Sequence, residues 1–200
     1  MSTESRPYQM KVRAERQRET RDRIAKAAME LHGEVGPAKT TVAEIARRAG
    51  VQRLTVYNHF PDESALFPAC SAHYLALHPF PDPAPAFALE DPGDRLLAVL
   101  ESLYRWYRET EEMTGNIQRD RGSVPALEEF CARTIDVRFA QLADGLGDGF
   151  GARGARAVRV HGLIAVALDF WTWRRLDGEG LDDEAAARLM AGAVGAIAGR

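Results

Sequence analysis

Cysteine is scarce in this chain: Cys70 and Cys131 are the only two among 200 residues. They lie far apart, with no CxxC or Cys/His spacing, so neither a disulfide framework nor a zinc site is expected. Long apolar runs are also missing. The longest stretch without Lys, Arg, Asp or Glu, 64–81, carries Pro68, Pro79 and Pro81 and falls short of the roughly 20 apolar residues of a membrane-spanning helix. The N-terminus lacks the apolar core and cleavage site of a secretory signal, which reads as a cytoplasmic protein. No alternation of apolar and polar residues is long enough for a strand. There is no Gly-rich phosphate loop and no motif pairing carboxylates with a histidine, and His73 and His78 are five apart, off one helical face. The expectation is therefore no enzyme, no metal site and no cofactor.

What is present begins with an ordinary globular composition, 46% hydrophobic and 28% charged. The net charge of -3 hides a division. Residues 1–60 hold 12 Lys and Arg against 7 Asp and Glu, whereas the remaining 140 hold 14 against 22. A basic segment on an acidic body suits a nucleic-acid-contacting module joined to something that need not touch phosphate; a merely solvated basic surface is the alternative.

Almost every periodic segment repeats at helical spacing, which predicts an all-α fold of about nine helices. In 16–35, Ile24, Ala28, Leu31 and Val35 mark one face, and Gly36-Pro37 stops the helix. Residues 1–20 ahead of it, with Arg6, Lys11, Arg13, Arg16 and Arg18, read as a flexible basic arm. Thr41-x-x-Glu44 has the form of a capping box. Further helices follow over 52–60, 63–77, 94–112, 114–121, 125–146, 155–176 (helix 8) and 183–198 (helix 9). Five prolines between His78 and Gly93 predict an extended connection, so the expected division is 21–77, a connection over 78–93, and 94–200.

The segment 42–60, VAEIARRAGVQRLTVYNHF, is the most informative. A helix-turn-helix needs a small residue where two axes approach, glycine at the turn and apolar pegs on each side. Ala46, Gly50, Ile45, Val51 and Val56 fill those places. With Val56 and Phe60 turned inward, the second helix presents Arg53, Thr55, Tyr57, Asn58 and His59 outward, and these are phosphate and base-edge partners. For His59 a packing role between helices is the alternative.

Over 21–77 the chain resembles the DNA-binding domain of the TetR family of transcriptional regulators. The resemblance rests on Thr40-Thr41, on IA-x-x-AGV at 45–51 and on T-x-Y-x-HF at 55–60. It implies a homodimer on a palindromic DNA operator, with Thr41, Thr55 and Tyr57 at phosphates and Gln52, Arg53 and Asn58 nearest the bases. Three residues depart from the family pattern: Gln52 replaces a better N-cap, Leu54 a small residue and Glu63 a common lysine.

Helix 8 reads VHGLIAVALDFWTW over 160–173, and helix 9 is uncharged over 189–199. Two such helices exceed what about 110 residues can surround, so a homodimer through helices 8 and 9 is expected, with a monomeric helical hairpin as the alternative. The resemblance also implies a small-molecule effector pocket, for which Trp106, Tyr107, Phe130, Phe139 and Trp173 are the apolar candidates and His161 or Asp169 the polar anchor. Asp169, inside helix 8, is expected to be buried and paired with an arginine. The functional expectation is a repressor released by a hydrophobic effector, against a constitutive DNA-binding regulator with no effector.

Overall fold

The computed structural model describes residues 5–199, the first three by backbone alone. Among them the fold is all-α: twelve α-helices, one 3-10 turn and no strand. In chain order these are α1 (Ser5–Glu34), the 3-10 turn Pro37–Lys39, α2 (Val42–Ala49), α3 (Arg53–His59), α4 (Glu63–Leu77), α5 (Ala84–Phe87), α6 (Pro92–Glu109) and α7 (Glu111–Asp120). They continue with α8 (Pro125–Arg133), α9 (Ile135–Gly149), α10 (Ala155–Leu168), α11 (Phe170–Gly178) and α12 (Asp183–Ala198). The count exceeds the expected nine because the 125–146 helix breaks at Thr134, helix 8 breaks at Asp169, and the Pro-rich connection contains a helical turn. No described helix is long and apolar enough to cross a membrane.

The helices gather into two compact units. The first takes the chain up to Pro79 together with Asn116–Phe130, the second Phe80–Gly115 together with the chain from Cys131.

In the first unit, residues 5–20 are not a separate arm but the opening of α1. From Tyr8 to His32 there is neither glycine nor proline, and Ala, Arg, Glu, Lys and Gln dominate, all residues that lose little side-chain freedom in a helix. Ile24, Ala28 and Leu31 bury the inward face. Asn116 Nδ2 donates to the carbonyls of His32 (3.1 Å) and Gly33 (2.6 Å), satisfying acceptors that the end of α1 leaves open. Arg119 donates to the Val35 carbonyl and pairs through Nε with Asp120 at 2.7 Å. Asp120, itself buried, accepts from the Ala38 amide at 3.0 Å. This clasp fixes the turn between α1 and α2. Gly36 is needed there twice over, because its φ of +92° is left-handed and a Cβ would overlap the Arg119 and Asp120 side chains. His32 is buried in the same unit beside Phe67 (5.5 Å) and the Cys70 Sγ (3.7 Å from Nδ1). Burial lowers the imidazole to about 4, with Asp120 opposing, and pushes the Cys70 thiol up to about 12.

The second unit packs around buried Leu96, Leu100, Leu103, Tyr104, Tyr107, Ile164, Leu168 and Trp173. Asp169 corrects an expectation: it is exposed, and among the described residues it pairs with no arginine. Its carboxylate is the N-cap of α11, accepting from the amides of Trp171 (2.8 Å) and Thr172 (3.1 Å). In an unbroken helix those amides would serve the carbonyls of Ala167 and Leu168. Instead Tyr104 Oη donates to Ala167 O (2.8 Å) and Tyr107 Oη to Leu168 O (2.7 Å), so these two carbonyls and the amides of Trp171 and Thr172 all have partners at the break.

Candidate nucleic-acid interface

Local sequence positions α2 and α3. Thr41 Oγ1 accepts from the Glu44 amide at 3.2 Å, and Glu44 Oε2 accepts from the Thr41 amide at 3.2 Å and hydroxyl at 2.8 Å, completing the expected capping box. Gly50, at φ +66°, closes α2 in the left-handed conformation that glycine adopts without penalty, and the Val51 amide reaches Ala46 O at 2.9 Å. Gln52 opens α3 with no side-chain cap, as its departure from Ser or Thr implied.

The second helix is then clamped from behind. Val56 and Phe60 are buried. Arg21 of α1 lays its guanidinium 4.0 Å over the Phe60 ring and donates to the His59 carbonyl at 2.5 Å. Arg48 of α2 grips Glu34 of α1 through two hydrogen bonds of 2.5 and 2.7 Å, and that pairing pulls the Glu34 carboxyl below its usual range. Arg21 and Arg48, both basic, are thus engaged in holding helices together.

Gln52, Arg53, Tyr57 and Asn58 are exposed, and Thr55 and His59 half-buried. Among the described residues, the side chains of Gln52, Arg53, Tyr57 and Asn58 form no hydrogen bond or ion pair, so their donors and acceptors face water. Thr41 is exposed at the start of α2, its hydroxyl engaged with Glu44. Leu54 belongs to the same surface at 67% exposure, a feature that sequence reasoning noted only as a departure. Glu63 is exposed at the first turn of α4, next to the Asp62 cap.

Residues 24–70 match the family model of bacterial regulatory proteins, tetR family. The whole helix-turn-helix, 42–60, lies inside the matched stretch. The HTH-type transcriptional regulator AcrR of Shigella flexneri is 45% identical over 49 residues, 24% of this chain and 23% of AcrR. The chain thus spans under a third of the length of the curated relatives it matches. Among solved structures, a TetR-like transcriptional regulator from Rhodococcus sp. RHA1 aligns with a TM-score of 0.61 at 16% identity, covering 90% of this chain and 97% of that one. NalD of Pseudomonas aeruginosa, the secondary repressor of the MexAB-OprM multidrug efflux pump, aligns with a TM-score of 0.57 at 23% identity over 90% of this chain and 95% of its own. These two similarities establish the TetR-like fold.

The seven effector candidates are not gathered into one place. Phe130 lies in the first unit, 6.3 Å from Phe67. Tyr107 and Trp173 are buried in the second unit, 5.7 Å apart, and their polar atoms are used: the Tyr107 hydroxyl on Leu168 O, the Trp173 Nε1 on Asp183 at 3.0 Å. Trp106 and Phe139 both flank Phe80, at 5.3 and 5.7 Å. His161 sits between Asp144 (3.5 Å) and Asp148 (3.7 Å) of α9. Asp169 caps α11.

Proposed function

We propose that this chain is a ligand-responsive transcriptional repressor that binds a palindromic operator as a homodimer, works in the cytoplasm and is released by a small hydrophobic effector. The observation that carries the reading is the outward face of α3, where Arg53, Tyr57 and Asn58 stand in water on a helix whose other side is buried. Arg53 and Asn58 have the donors and acceptors that read guanine and adenine in the major groove, with Gln52 beside them. Thr41, Thr55, Tyr57 and His59 supply phosphate contacts. Leu54 offers an apolar contact for a thymine methyl. In this reading 21–77 is the DNA-binding domain and 94–200 the dimerisation and effector-binding domain.

Dimerisation is supported by the outer surfaces of α10 and α12. Val158, Gly162 and Val166 on the first, and Leu189, Gly192, Ala196 and Ile197 on the second, repeat at helical spacing and face solvent. A Cβ built at Gly162 or Gly192 meets nothing, leaving room for the close approach of a partner helix. Repression is the role of NalD, whose fold is similar. A constitutive regulator is the second reading, favoured by the way Tyr107 and Trp173 are fully used in packing.

The test is selection of a binding site from random duplexes, followed by anisotropy at fixed salt. Arg53→Ala is expected to cost about 1–3 kcal/mol on the selected site and to relax preference at one position, and Tyr57→Phe to weaken all sequences alike. Affinity untouched by Arg53→Ala, Tyr57→Phe and Asn58→Ala together would overturn the assignment.

A further inference from the structure

The second unit contains a cleft of about 530 Å³ that none of the sequence-expected effector residues lines. We propose that it binds a small apolar molecule bearing one carboxylate, with Arg138 as the counter-ion. This gives the effector of the proposed function a chemical class, and it relies on that reading only for the consequence at DNA.

One wall is the Pro-rich connection, with Phe80, Pro83 and Phe87; the other is α9, with Arg138, Gln141 and Leu142. The size lies within the usual range for small-molecule sites. Proline contributes to the wall a backbone with no N–H to hydrate, so the connection is apolar along its main chain as well as its rings. Phe80 is held from behind by edge contacts with Trp106 and Phe139, and Phe87 packs against Gly145. The walls are therefore braced by the core of the unit and need no ligand to form.

Arg138, the cation lining the cleft, has no ion-pair partner among the described residues. Four arginines of this unit are matched by carboxylates: Arg108 by Asp177 (2.7 Å) and Asp183 (2.8 Å), Arg174 by Glu111 (3.0 Å), Arg175 by Glu179 and Arg188 by Glu184. Arg138 instead lies with its guanidinium 4.9 Å over the Phe80 ring, and among the described residues no carboxylate comes within ion-pair distance. Stacking leaves the in-plane N–H groups of a guanidinium free, and a planar fork of donors suits a carboxylate, which it can bind through two parallel bonds. Asp82 also lines the cleft, but it caps the following turn, accepting from the Ala84 amide at 3.0 Å. Its charge disfavours a second anionic group on the ligand, which selects a monoanion over a phosphate ester or dicarboxylate.

The experiment compares 4-phenylbutanoate with its neutral amide and with 4-phenylbutylammonium, by calorimetry on the full chain and by anisotropy of the operator complex. The acid is expected to bind at least tenfold more tightly than the amide. Arg138→Gln should abolish that ratio while leaving the helical circular dichroism and melting profile unchanged, and Arg138→Lys should keep part of it. Equal binding of acid and amide, no binding of either, or tightest binding of the ammonium, which would make Asp82 the anchor, overturns the proposal. Arg138-dependent binding of the acid that leaves operator affinity unchanged upholds the site and refutes the effector reading instead.

Discussion

The two units expose opposite chemistry. The first buries His32, Asp120 and the Cys70 thiol along with aliphatic side chains and leaves donors and acceptors in water along α3. The second is lined inside with leucines and aromatics and leaves valine, leucine and glycine in water along α10 and α12. An exposed face costs least when its chemistry meets a partner. Donors suit phosphate and base edges, whereas methyl groups beside glycine suit another helix. The contrast also says where each unit is vulnerable: the first to acid, the second to charge on its surface.

The largest effect is expected from breaking the apolar face. Gly192→Arg places a charge where a Cβ meets open space, so the folded protomer tolerates it, while burial of an unpaired charge in the proposed dimer costs about 3–5 kcal/mol. Light scattering should then give a dimer for the parent chain and a monomer for the variant. Val194 is no substitute as a test, because it is fully buried within the protomer and an arginine there would attack the fold itself.

Next comes acid. The unfolded imidazole of His32 takes up a proton near its ordinary 6.5, whereas in the folded chain uptake waits until about 4. The stabilisation this represents is complete above 6.5 and is lost as pH falls through 6.5 towards 4, on the order of 3 kcal/mol in all. Urea midpoints measured across that range should show a steep loss for the parent chain and a shallower one for His32→Gln. Parallel slopes would remove His32 as the source.

The smallest effect sharpens the outward face of α3. If Leu54 meets a thymine methyl, replacing that thymine by deoxyuridine in the selected operator removes about 0.8 kcal/mol, roughly fourfold in affinity. Leu54→Ala should become indifferent to the replacement. A fourfold loss that persists in the variant would assign the methyl contact elsewhere.

Legibility followed range along the chain. Thr41 and Glu44 are three residues apart and Gly50 bonds back to Ala46 and Arg47, so the capping box and the turn of the helix-turn-helix could be read directly, and the outward set of α3 followed from helical spacing. The clasp of Asn116 and Arg119 on the end of α1 spans more than 80 residues, and no local pattern announces it. Asp169 misled for a related reason: in sequence it is a charge inside an apolar run, and only Tyr104 and Tyr107, some 60 positions earlier, make the helix break there inexpensive. The continuation of α1 through 5–20 was legible from helix propensity, but the density of charge suggested a solvated arm instead. The cleft depends on two distant stretches meeting, which sequence spacing does not encode.

The chain passes between its two units three times, once in the Pro-rich connection at Pro79–Phe80 and twice inside helices, at Gly115–Asn116 in α7 and at Phe130–Cys131 in α8. That has a practical consequence for dissection. A fragment that stops at Pro79 includes the whole helix-turn-helix yet leaves behind the Asp120 carboxylate, the Asn116 amide and the Phe130 ring, and so exposes the carbonyls at the end of α1 and one side of Phe67. Supplying 116–130 through a short glycine linker should restore what truncation removes, and the two pieces mixed as separate peptides should find each other only weakly, because a fifteen-residue segment spends most of its time unstructured.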